Sequence, residues 1–174
     1  GLLDSTVVVI VGDHGEMLGE HRLIDHGVGL YAPVLHVPLL MRFPGVFDGG
    51  RVVKDVVRLE DVAPTLLELC RLPALDRADG VSLTGGLAGR ISRALLPLDD
   101  WVSLRSRDEM PGIDASRLAL GARSVFDGTR HLIRHDDGRI ELFAPGVDPE
   151  ERDDLSPWEP REVARLQALL DADR

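Results

Sequence analysis

Near the start of the chain a carboxylate and an imidazole stand side by side, in the string Asp13-His14-Gly15-Glu16-Met17-Leu18-Gly19-Glu20-His21. Carboxylate oxygens and neutral imidazole nitrogens are donors for a divalent cation. The flanking Gly12 and Gly15 let the backbone turn sharply and approach a ligand closely. By spacing alone, a metal half-site and an ordinary Asp-His-Gly turn both account for these residues. Other polar residues have plainer readings. Glu20 and His21 shape the loop. His131 and His135 lie in or beside a strand and read as packing or surface positions. The acidic cluster at residues 148–154 lacks the ligand spacing of a calcium loop and reads as a solvated turn.

The elements that must position this pair follow from periodicity. Thr6-Val7-Val8-Val9-Ile10-Val11 is a continuous β-branched run, as expected of a central strand in a parallel sheet with helices on both faces. It stops at Gly12-Asp13-His14-Gly15, the edge of an open α/β sheet where ligands bind. Residues 37–43 read as a second buried strand ended by Pro44-Gly45, and residues 51–57 as a shorter third. A helix is expected from Asp61 as N-cap to about Arg71, with Pro64 in its first turn and Val62, Leu66 and Leu69 on one face. Residues 72–114 read as loop. Three short strands follow, at residues 118–126, 131–135 and 140–143, separated by the hairpin signals Asp127-Gly128 and Asp137-Gly138. A last helix is expected over residues 157–172, opened by a Ser156-Pro157-Trp158-Glu159 capping box, with Val163, Leu166 and Leu170 as its apolar stripe. The expected fold class is therefore α/β: part of a parallel sheet with flanking helices, then a small antiparallel sheet with a carboxy-terminal helix. Residues 1–114 would form part of one domain and residues 115–174 a small subdomain.

Composition bounds the rest. The chain has 174 residues, 44% of them apolar and 29% charged, an ordinary balance for one folded domain or slightly more. A net charge of −10 argues against nucleic acid as partner, since phosphate binding needs a basic face. The single cysteine, Cys70, excludes an internal disulfide and a Cys-rich zinc site, and reads as a small buried hydrophobe on a helix face. The longest apolar run is too short to span a bilayer. The chain opens at Gly1 close to a strand, so its amino terminus reads as a cut edge, with any targeting segment upstream.

The string from Val8 to His21 closely resembles the strand-and-loop signature of type I sulfatases, in the alkaline-phosphatase superfamily. The resemblance continues through Asp25-His26-Gly27, Leu30-Tyr31, Val37-Pro38-Leu39-Leu40 and Pro44-Gly45. It extends through Leu59-Glu60-Asp61-Val62-Ala63-Pro64-Thr65-Leu66-Leu67-Glu68-Leu69, Arg130-His131-Leu132-Ile133-Arg134, Glu141-Leu142-Phe143 and Asp148-Pro149-Glu150-Glu151-Arg152-Asp153-Asp154-Leu155. Residues 83–114 are the least similar.

The resemblance implies a sulfuric ester hydrolase, here as its carboxy-terminal portion. Asp13 and His14 fall on paired metal ligands. The implied ion is calcium, with manganese or magnesium also admitted; an imidazole at position 14 suits manganese or another transition ion. His26 falls where the family places basic residues that hold sulfate and protonate the leaving oxygen, a role an imidazole suits; a surface loop histidine is the plainer alternative. Val28 stands where relatives often carry His, and His36 where Arg commonly precedes the Val-Pro pair. The formylglycine nucleophile and two further Asp ligands belong upstream, so this chain alone should be inactive. The implied partners are a small-molecule or glycan sulfate ester and the missing amino-terminal part of the same protein. Phosphonate or phosphate ester hydrolysis, and non-catalytic binding of a sulfated ligand, are the alternatives.

Overall fold

The β-branched run does become a strand, in a computed structural model that describes residues 1–27, 29–47, 49–85, 88–96 and 120–172. In chain order the elements are β1 (Val8–Val11), β2 (Met17–Leu18), β3 (Ile24–Asp25), α1 (Ala32–Leu35), β4 (Leu39–Arg42), α2 (Val62–Leu69), β5 (Ser92–Leu96), β6 (Ala122–Phe126), β7 (His131–His135), β8 (Ile140–Phe143) and α3 (Pro160–Asp171). The chain divides into two compact units, Gly1–Asp13 with Val37–Ser92 and His14–His36 with Arg93–Arg174. The boundary expected at residues 114/115 lies outside the described residues.

In the first unit β1 pairs with β4, Val8 opposite Arg42 and Val11 opposite Leu39, and the pair is antiparallel rather than parallel. An unbroken apolar run reports strand propensity and not direction. Direction is set by the neighbour, and beyond the strand end Gly12 N–H still donates to Pro38 O at 3.1 Å. The expected strand at residues 51–57 does not form. Val52 and Val53 are exposed there and Val56 is buried, and among the described residues no strand pairs with the segment.

α2 forms where the apolar spacing placed it. Asp61 occupies its cap position, but its carboxylate makes no cap bond to the helix. Instead it accepts the Arg90 guanidinium through both oxygens, at 2.7 and 2.8 Å, and the Val81 and Arg58 N–H groups. Burial pushes the Asp61 carboxyl up, but these bonds outweigh it and hold the group below its usual range. Cys70, expected in the core, is exposed instead. It sits just past the last turn of α2, off the face that buries Thr65.

The second unit is built on a four-stranded sheet, β5-β6-β7-β8. The β6–β7 and β7–β8 pairs are antiparallel, with Ser124 opposite Ile133 and Leu132 opposite Leu142. Both predicted Asp-Gly turns appear, with positive φ at Gly128 and Gly138. β5 arises inside the stretch expected to be loop. α3 opens at Pro160, not at Pro157, and buries Leu166 and Leu170 against β6 and β7. Residues 14–36 also belong here, and supply Met17, Leu23, Leu30, Tyr31 and Val34 to a core shared with Ala122, Ile133 and Phe143. Each large side chain sealed in this way contributes about 1.5–3 kcal/mol.

Candidate functional site

Beyond β1 the backbone passes Asp13 and reaches His14 and Gly15. Gly15 N–H donates to Val34 O at 2.8 Å. A Cβ at position 15 would lie 1.9 Å from the Pro33 carbonyl oxygen, so only glycine lets the chain rest against α1 here. β2 and β3 then form a short hairpin with Met17 opposite Asp25. That register brings the residues just outside it, Glu16 and His26, to the same end. Asp25 has φ 85°, and its Oδ1 accepts the His26 N–H at 2.6 Å, which turns the ring back toward His14.

The result is a cluster of two imidazoles and a carboxylate. The rings of His14 and His26 stack with centroids 4.0 Å apart and an interplanar angle of 24°. Glu16 Oε1 lies 2.8 Å from His26 Nδ1 and 4.0 Å from His14 Nδ1. All three side chains are between 43% and 48% exposed. Their ligand atoms lie within 4.8 Å of one another, so this trio could hold a metal ion among the described residues. Two nitrogens and one oxygen suit a transition ion better than calcium, which prefers oxygen alone.

Of the sequence-predicted site residues, the fold therefore places His14 and His26 together. Asp13 is exposed and peptide-bonded to His14, and is the last residue of the first unit's opening segment. Glu16 had no assigned role; the signal for it is the hairpin register, which is visible only once Met17 and Asp25 are known to pair. His36 ends α1, its N–H donating to Ala32 O at 2.8 Å. Val28 lies outside the described residues.

Beneath the hairpin lies a buried polar layer. Tyr31 hydroxyl donates to Glu141 Oε2 at 2.8 Å, and His135 Nε2 meets the same oxygen at 2.7 Å. Burial pushes the Glu141 carboxyl up, but the His135 and Tyr31 hydrogen bonds and the Arg139 charge together bring it down to about 2. His21 stacks on Tyr31 with centroids 3.7 Å apart, and Glu20 Oε2 accepts the Leu18 N–H. Both thus shape the loop, as expected. His131 and His135 are buried packing positions, but the acidic stretch is not simply a solvated turn: Glu151 within it is wholly buried. It is sealed because it meets buried donors from elsewhere in the unit.

Comparison with known proteins agrees with this picture. The Sulfatase family model matches residues 1–72. The chain is 29% identical to arylsulfatase K of Gallus gallus over 174 residues, covering 97% of this chain and 31% of that protein. The solved structure of BT4656 in complex with its substrate D-glucosamine-2-N,6-O-disulfate superposes with a TM-score of 0.76 at 21% identity, over 98% of this chain and 34% of that one. The phosphonate monoester hydrolase of Agrobacterium radiobacter superposes with a TM-score of 0.66 at 24% identity, over 95% and 34%. The chain thus spans about a third of the length of these relatives. Taken with the strand-to-hairpin signature, these matches support a type I sulfatase family for the chain: its first 72 residues fit the Sulfatase family model, its whole length is similar to an arylsulfatase, and its fold is that of solved sulfatases.

Proposed function

We propose that this chain forms the carboxy-terminal portion of a metal-dependent sulfuric ester hydrolase, with Asp13 and His14 holding a divalent ion and His26 acting as proton donor. Sulfatases are generally metal-dependent, and the donors here fit a divalent ion: a carboxylate and an imidazole on adjacent residues, with Glu16 and His26 beside the imidazole. The family resemblance favours calcium, and the His14 imidazole also suits manganese or another transition ion. A bound ion supplies Lewis-acid stabilisation of charge on the ester oxygens. His26, stacked on His14 with Nδ1 on Glu16, carries the proton given to the leaving oxygen, and Glu16 offsets the charge of its imidazolium. The formylglycine nucleophile and the remaining metal ligands come from residues upstream of this chain. In this reading residues 1–114 complete the catalytic domain and residues 115–174 form its small subdomain. The substrate is a sulfate ester of a small molecule or glycan.

The observation that carries this reading is the His14–Glu16–His26 cluster immediately after the family's signature strand. Phosphonate or phosphate ester hydrolysis is the second reading, favoured by the fold shared with the phosphonate hydrolase. Assaying the protein together with its upstream coding sequence on matched sulfate and phosphonate monoesters separates the two. Sulfate release dominates if the first reading holds, and preferential phosphonate cleavage rejects it. His26→Ala should lower turnover by about 10²–10⁴-fold on alkyl esters and less on activated aryl esters. An equal loss on both would reject the proton-donor role.

A further inference from the structure

The segment that carries His14, Glu16 and His26 is fastened from below by residues far away in sequence. Glu151 is fully buried, and its two oxygens face different parts of the unit. Oε1 lies 2.6 Å from His131 Nδ1 on β7, and Oε2 accepts the N–H of Ala32, the first residue of α1, at 2.8 Å. Its backbone has φ 54°, a conformation a non-glycine residue adopts only when its surroundings hold it there. The neighbouring Glu150 carbonyl lies 3.0 Å from His21 Nε2. Segment 14–36 is thus tied to the 148–151 turn at two places, and Tyr31 adds a third tie to β8 through Glu141.

One of these ties leads directly to the cluster. Ala32 opens α1; Val34 in the same turn offers its carbonyl to Gly15 N–H; Gly15 is bonded to His14, and His26 stacks on His14. We propose that Glu151 is a positioning residue for the His14–His26 pair. It clamps the first residue of α1 to β7 and so fixes the backbone against which Gly15 docks. A carboxylate suits this task because it accepts from two donors at once, and buried charged hydrogen bonds are short and directional. The clamp is a feature of the chain itself; its consequence for turnover rests on the proposed roles of His14 and His26.

The test uses the protein together with its upstream sequence, comparing Glu151→Ala, Ala32→Pro and the core control Leu166→Ala by NMR. Ala32→Pro removes the donated N–H while leaving Glu151 and His131 untouched, and proline is well tolerated at the first position of a helix. It therefore decides the question even if Glu151→Ala does not fold. Either clamp variant should shift the Cε1 proton signals of His14 and His26, as the stacked rings part. Both should also lower amide protection at Gly15 and Val34 by about tenfold or more, while Leu132 and Ile133 stay within about threefold. Leu166→Ala should do the reverse. Unmoved His14 and His26 signals, or a uniform loss of protection across the unit, would overturn the proposal. In sulfate release by the longer protein, Ala32→Pro should lower kcat about tenfold with KM little changed. If the wild-type protein releases no sulfate, the functional reading fails while the NMR result still decides the clamp.

Discussion

In the unit formed by residues 1–13 and 37–92, the most apolar strands of the chain are poorly covered: Ile10 is 60% exposed and its cross-strand partner Leu40 58%. In the unit formed by residues 14–36 and 93–174, strands that alternate with His, Arg and Glu seal Leu132, Ile133 and Leu142 completely, and Glu151 with them. Burial here follows the partners an element finds, not the hydropathy of its own residues. Both units bury a carboxylate, but they satisfy it differently. Asp61 meets the guanidinium of Arg90, charged at any ordinary pH, and its other bonds come from nearby backbone. Glu141 and Glu151 meet imidazoles on β7 together with groups from the site-bearing segment. Only the second arrangement ties a buried charge to the candidate site.

That contrast can be broken first at its strongest point. Asp61→Ala strands the Arg90 guanidinium and should cost about 3–5 kcal/mol, read as lost amide protection in α2; a loss below about 1 kcal/mol would remove Asp61–Arg90 as the centre of its unit. Leu166→Ala leaves a cavity beneath α3 and should cost about 2–5 kcal/mol, read at the amides of β7.

The pH dependence sharpens the comparison further. Glu141 is lowered from its ordinary 4.5 to about 2, so between these values the unfolded chain binds more protons than the folded one. Its contribution is complete above about pH 4.5 and is lost as pH falls toward 2. Asp127, also lowered to about 2, acts in the same direction. Glu141→Gln should therefore flatten the acid limb of a denaturation midpoint against pH, and an unchanged limb would contradict the assignment.

Much of this was legible in the residues. β7 and β8 begin and end where the Asp-Gly turns place them, because a tight hairpin turn fixes the strand ends on both sides of it. The spacing of Val62, Leu66 and Leu69 located α2. The last helix, expected to open at Pro157, opens one turn later at Pro160, while Trp158 stays exposed. What could not be read is what depends on distant partners. Glu151 sits among acidic neighbours and looks solvent-bound, yet its partners are His131 and Ala32, 20 and 119 residues away. The antiparallel sense of β1 and β4 and the proximity of Glu16 to His26 are of the same kind. Asp13 and His14 were visible as a pair, and the stack of His26 on His14 was not.

In the proposed function, the carboxylate and imidazole just past the end of β1 serve metal-dependent ester hydrolysis. Its most direct test is sulfate release from an aryl sulfate by the protein with its upstream sequence, wild type against Asp13→Ala, with secondary structure followed by circular dichroism. An intact fold with a loss of turnover of about 10²-fold or more is expected if Asp13 holds the ion. Wild-type turnover from a folded Asp13→Ala protein would contradict it.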